Sequence, residues 1–194
     1  MPQDPFDAFL QRLSAGHAPN LVTIYHAVRN IPYGAIGQRD PRAVLERGVG
    51  SCSGKHLLLQ ELLRRLGHEA EVVTIFTHFN ELVPDHDSYP PALRELVRDA
   101  VVPDFHHFVR ARQNGRWLRL DATWHDALAP YGFLVNADWS GEGDTRLAAR
   151  PLLEYPPTND LVALKQRLLS ELSPEELALR ARFFELLTAW IATL

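Results

Sequence analysis

Asn114 and Gly115 leave this chain less freedom than any other pair in it. In "DFHHFVRARQNGRWLRLDATW", Asp104 to Trp124, they sit between two runs of alternating side chains. Asn-Gly is the preferred pair for a two-residue hairpin turn because both central positions take positive φ. The stretch predicts a β-hairpin whose turn sets the register. In that register His106, Phe108, Arg110 and Arg112 share a face with Trp117, Arg119, Asp121 and Thr123. Val109, Ala111, Leu118, Leu120 and Ala122 form the other face, the apolar one, which is expected to meet a core. His106 and Asp121 stand diagonally opposed, within reach of each other. His107 points to the apolar side and reads as a core histidine, and Trp117 reads as hairpin packing. Arg110, Arg112 and Arg119 suit either an acidic substrate or a solvated strand face.

The second strong signal is "GVGSCSGKHLLLQELLRRLG", Gly48 to Gly67, which carries the one cysteine of the chain. Leu58, Leu59, Leu62, Leu63 and Leu66 recur at steps of three and four, and Gly67 sits where a C-terminal cap belongs. A buried helix starting near Cys52 follows. Unpaired amides and the helix dipole at that start favour an anion and lower a thiol's pKa. Gly48, Gly50 and Gly54 permit close approach, and the Cys52 amide is a candidate oxyanion donor. Tyr33 and Gln38, in the Pro- and Gly-broken loop "NIPYGAIGQRDP" before the helix, are candidates for a second donor. An imidazole facing the sulfur would complete the activation. His106 is placed to act as base and then acid, with Asp121 fixing its tautomer.

The rest of the chain frames these two segments. Pro5–Leu13 and Asn20–Asn30 have helical spacing, "EAEVVTIF" alternates as a strand, and Asn80–Pro103 reads as a surface excursion with a short helix near Ala92–Ala100. Beyond Thr123 a further strand and a long loop are expected. "SPEELALRARFFELLTAWIATL" reads as an amphipathic helix capped by Ser173, with Leu177, Phe183, Phe184, Leu187, Trp190, Ile191 and Leu194 packed on the domain. A length of 194 residues, 46% hydrophobic, suits one domain over 1–194. The net charge of −4 implies no nucleic-acid partner, and no apolar run is long enough for a bilayer. One cysteine rules out an intrachain disulfide, and the expected setting is cytoplasmic. The spacings of His78, His86 and His125 match no standard zinc pattern, so these read as surface residues and no metal is expected.

The order of a Cys helix, a His strand, a tight turn and "WLRLDAT" resembles the transglutaminase-like superfamily of papain-like thiol enzymes. The resemblance runs over roughly Val44–Thr123. It implies an α+β fold with the nucleophile helix packed against an antiparallel β-sheet, Cys52 as nucleophile, His106 rather than His107 as base, and Asp121 as third member. No cofactor is implied. Two departures bear on the reaction. A tryptophan two residues after the histidine and an acid two beyond it are frequent in that family, where this chain has Phe108 and Arg110. Cross-linking members carry an aromatic after the cysteine, where this chain has Ser53 and Gly54. The implied activity is acyl transfer on the amide bond of a peptide or small amide, with hydrolysis expected ahead of protein cross-linking. The alternatives are a non-catalytic binding scaffold and an acyl-coenzyme A dependent N-acetyltransferase.

Overall fold

The computed structural model describes residues 3–14, 16–35, 37 and 39–194. Three short helices come first, each opened by a polar cap. Asp4 accepts the Phe6 amide at the start of α1 (Pro5–Leu13), Asn20 accepts that of Thr23 for α2 (Leu21–Arg29), and Asp40 accepts that of Arg42 for α3 (Pro41–Arg47). α3 lies where the sequence pattern reads only as broken loop. Its cap and the proline at its first position are the cues. Gly48 then takes φ +64°, the left-handed conformation that ends a helix.

α4 (Cys52–Arg65) is capped by Ser51 and stops two residues before Gly67, which adopts φ +83°. Leu58, Leu59, Leu62 and Leu63 are fully buried. They join α1 and α2 and the apolar hairpin face, Val109, Ala111, Leu118, Leu120 and Ala122, in one cluster. The hairpin consists of β2 (Pro103–Gln113) and β3 (Arg116–Leu120), with Val109 opposite Leu120 and Arg112 opposite Trp117, in the expected register. Asn114 and Gly115 have φ of 51° and 80°, as a turn of the primed type requires. β1 (Ala70–His78) pairs antiparallel with β2, and the short β4 (Leu153–Tyr155) pairs with the other edge of β1. The sheet order is β3-β2-β1-β4. The fold is α+β, a helix bearing Cys52 packed on a four-stranded antiparallel sheet.

The remaining elements build a second core. The segment after β1 begins with a 3-10 turn at Phe79–Leu82 and continues into α5 (Pro91–Asp99). The short helix lies where expected and much of the segment is at the surface, but its apolar side is packed inward. Leu93, Val97 and Val102 are buried beside Phe79 and Trp124, and the Asn80 amide donates to Val97 O and Ala100 O while its oxygen accepts from Val102 N. α6 (Leu161–Leu169) and α7 (Pro174–Ile191) complete the chain. Ser173 and Glu176 form a reciprocal capping box at the start of α7. Phe183, Phe184, Leu187, Trp190 and Ile191 are buried, whereas Leu177, in the first turn of α7, and Leu194, beyond its end, are exposed. Trp117 is also largely exposed, with the Arg110 guanidinium over its ring.

Candidate active site

Cys52 is the first residue of α4 and is 3% exposed. The Cys52 and Ser53 amides donate to no group among the described residues, as expected for the first turn of a helix. Three residues on, the buried Lys55 ammonium donates to the carbonyls of Arg29, Ile31 and Thr123, at 2.8, 2.7 and 2.8 Å. That one side chain ties the end of α2 and the segment after β3 to the Cys52 end of α4. A bridge between Tyr33 and Gly50 closes the approach loop, with Gly34 N donating to Gly50 O and Gly50 N to Pro32 O.

The histidine comes from the opposite wall. His106 in β2 is fully buried, and its Nε2 lies 2.8 Å from Asp121 Oδ2. A carboxylate only accepts, so that ring nitrogen carries the proton. Nδ1 is buried without an oxygen or nitrogen partner and is the ring atom left for the Cys52 thiol, which acts on this ring. Asp121 is held on every side: Oδ1 accepts Thr123 N, Oδ2 also accepts Ala148 N, its amide donates to Thr145 Oγ1, and its carbonyl accepts the Tyr25 hydroxyl. His56 links the two walls. Ala122 N donates to its Nε2 at 2.8 Å, so Nδ1 carries the proton and donates to Cys52 O at 2.8 Å.

These contacts set the charges. Burial opposes a thiolate at Cys52, yet Lys165 and His106 together outweigh it and hold the thiol below its ordinary pKa. Burial likewise opposes the imidazolium of His106, and Asp121 and Cys52 overcome it, raising that pKa. Asp121, although buried, stays ionised because His106 and the Ala148 amide stabilise its charge. His56 and His107 move the other way, since burial dominates and keeps both neutral. His107 sits on Thr74 Oγ1 at 3.1 Å, as a core histidine.

A cavity of about 500 Å³ opens onto Cys52. Tyr33 lines it, its ring against Trp124, and burial together with the neighbouring Cys52 keeps its hydroxyl protonated. Gln38 lies outside the described residues. Lys165 from α6 and Arg180 from α7 also reach the cavity, as does Asp104 from β2. None of these three, nor His56, is singled out by the sequence pattern. The face carrying His106 is solvated only at its far end, where Arg110, Arg112 and Arg119 pair with Glu71, Glu69 and Asp144. His125 is buried rather than on the surface, with Nδ1 accepting the Tyr33 amide. Among the described residues no three His, Cys, Asp or Glu side chains are grouped to hold a metal ion, and no helix is long and apolar enough to cross a membrane.

A family model described as the transglutaminase-like superfamily matches residues 11–122. The chain belongs to the transglutaminase-like superfamily. No curated protein matches it. Among solved structures, one described as a "Putative Cysteine Protease" from Cytophaga hutchinsonii is similar over 61% of this chain and 37% of its own, at 18% identity and a TM-score of 0.41. This transglutaminase-like chain therefore spans little more than a third of that neighbour's length. Membership supports a thiol-dependent enzyme at the level of the family.

Proposed function

We propose that the chain is a thiol-dependent acyl-transfer enzyme acting on amide bonds. Cys52 thiolate attacks the amide carbonyl, and the negative charge that develops on the oxygen is received by the first-turn amides of α4, with the Tyr33 hydroxyl as a further donor. The C–N bond then breaks as His106 imidazolium gives its proton to the leaving amine. The acyl group remains on sulfur as a thioester. Water, or a primary amine, attacks that thioester while His106 takes its proton, and the C–S bond breaks to return the thiolate. Asp121 keeps Nε2 protonated and stabilises the imidazolium, so Nδ1 is the nitrogen that exchanges protons.

One observation carries this reading. His106 spends one ring nitrogen on Asp121 and leaves the other buried without an oxygen or nitrogen partner, while the Cys52 thiol acts on the same ring and helps to raise its pKa. His107 also has an unpartnered ring nitrogen, but its pKa is lowered by burial and it has no carboxylate partner, whereas His106 is paired with Asp121 and its pKa is raised in part by the Cys52 thiol. The test is turnover of a panel of peptide amides, with and without an added primary amine. Cys52→Ala and His106→Ala each abolish turnover and the double variant loses little more, because the groups act as a unit. Asp121→Asn is severe but leakier. Retained turnover in Cys52→Ser together with an unaffected Asp121→Asn would refute covalent thiol catalysis. A binding scaffold, by contrast, needs no activated thiol, and iodoacetamide would then label the native chain no faster than the unfolded one at about pH 6.5.

A further inference from the structure

Three ionised side chains meet at the wall of the Cys52 cavity, and their charges do not cancel. Asp104 is 1% exposed, and its Oδ1 takes Arg180 Nε at 2.7 Å and lies 3.6 Å from Lys165 Nζ. Its Oδ2 is sealed from solvent and has no partner. Two cations thus share one carboxylate, with the Cys52 thiolate as the second anion near them.

The two cations differ in what they have left to offer. Lys165 Nζ already donates to Phe105 O at 2.7 Å and reaches Ser53 Oγ at 3.5 Å, besides facing Asp104. Its place is to hold α6 against the sheet and to favour the Cys52 thiolate. Arg180 spends only Nε on Asp104. Its two terminal nitrogens meet no acceptor among the described residues, and neither is sealed from solvent. The guanidinium lies over the Phe184 ring at 4.8 Å, so its plane is fixed by that ring on one side and by Asp104 along one edge. A rigid planar fork with two open donor groups is the shape that recognises a carboxylate in two-pronged fashion. The cavity offers a cationic group no equivalent, since Asp104 Oδ2 cannot be touched and the rim carboxylate Glu185 is exposed and paired with Arg182.

We propose that the Cys52 cavity is a subsite for an acyl donor bearing a carboxylate, read by the terminal nitrogens of Arg180, with Asp104 and Phe184 aiming the guanidinium. The assignment rests on Cys52 being the reacting thiol. It also places the group that reads the carboxylate in α7, outside the matched residues 11–122, while Asp104, which aims it, lies within them.

The single cysteine makes the test direct. N-(2-carboxyethyl)maleimide and its carboxamide have the same reacting centre and differ in remote charge. On the native chain the acid labels Cys52 about tenfold faster than the carboxamide, the effect of one well-placed charge-assisted hydrogen bond, while on the denatured chain the two rates agree. Arg180→Gln brings the native ratio down to the denatured one, and Arg180→Lys, which keeps the charge without the fork, recovers part of it. If Arg180→Gln does not fold, competition on the wild type decides: N-acetylglutamate α-amide slows labelling by the carboxamide probe and N-acetylglutamine α-amide, which has no carboxylate, does not. Equal rates for acid and carboxamide on the native wild type overturn the subsite, and so does faster labelling by N-(2-aminoethyl)maleimide. Absolute rates, native against denatured, test the activated thiol, and the ratio tests the subsite, so the two readings fail separately.

Discussion

His56 shows how one side chain can lock a site without touching substrate. Its Nδ1–H on Cys52 O and its Nε2 under Ala122 N require the neutral ring, and burial lowers its pKa from 6.5 to about 4. Below pH 6.5 the unfolded chain binds a proton that the folded chain refuses. Stability from this residue is therefore complete above that pH and drains away as pH falls toward 4, by roughly 3 kcal/mol in total. His107 acts in the same direction, whereas His106, with a raised pKa, keeps its stabilisation in acid and loses it only as pH rises through its folded value. Urea midpoints at pH 7 and pH 4.5 should fall steeply for the wild type, and the drop should be smaller by up to this amount in His56→Gln, which has no proton to take. Residues of this kind were hard to see in the sequence. Cys52, His106 and Asp121 come together through a helix start and a hairpin register, both of which are local patterns. His56 depends on how far α4 stands from the strand end, which no local pattern states. Lys165 did leave a trace: of the 20 Lys and Arg residues only Lys55 and Lys165 are lysine, and both are buried.

Among the elements, α4 is the one whose position decides the chemistry, and Lys55 anchors its reactive end. Lys55→Met would leave the carbonyls of Arg29, Ile31 and Thr123 buried without a donor. At about 1 kcal/mol or more each, stability should fall by at least about 3 kcal/mol in chemical denaturation, and the labelling rate of Cys52 should fall with it as the helix start loosens. Gly50 is constrained by space. A Cβ there would lie 3.0 Å from Lys55 Cγ and from both γ carbons of Val44. Gly50→Ala should cost about 1–3 kcal/mol, read as a lower melting temperature, because the overpacked atoms lie against the helix and its anchor. α4 and the hairpin were legible since Asn114-Gly115 and the leucine spacing each carry a full structural specification. α3 and α6 were not, although each has a capping aspartate, Asp40 and Asp160. α3 has only seven residues beside a proline- and glycine-broken loop, and α6 follows Pro156 and Pro157 with its buried positions only at Leu161, Lys165 and Leu168, one of them a lysine that breaks the apolar pattern.

At the scale of the whole molecule the question is whether the C-terminal helices are an addition or part of one folding unit, given that the family match ends at residue 122. The second core answers in physical terms. Tyr33, Cys52 and Phe79 belong to the same buried cluster as Trp124, Phe183, Leu187 and Trp190, and Phe79 packs against His106 as well as Phe183 and Phe184. The capping box and apolar spacing of α7 announce a helix with a buried face, but an apolar face does not name what covers it, so its place over the Cys52 cavity was not to be read from the pattern. We expect the chain to unfold as a single cooperative unit. Far-UV circular dichroism, which reports helices α1 to α7, and tryptophan fluorescence, with Trp124 and Trp139 buried in different clusters, should give coincident transitions. Phe183→Ala empties a fully buried site at the junction of α7 with the turn carrying Phe79. It should lower both transitions together by about 3–5 kcal/mol. If α7 instead melted first, leaving Trp139 and the Cys52 labelling rate unchanged, the C-terminal helices would be an independent appendage, and substrate selection by Arg180 would lose the rigid support it needs.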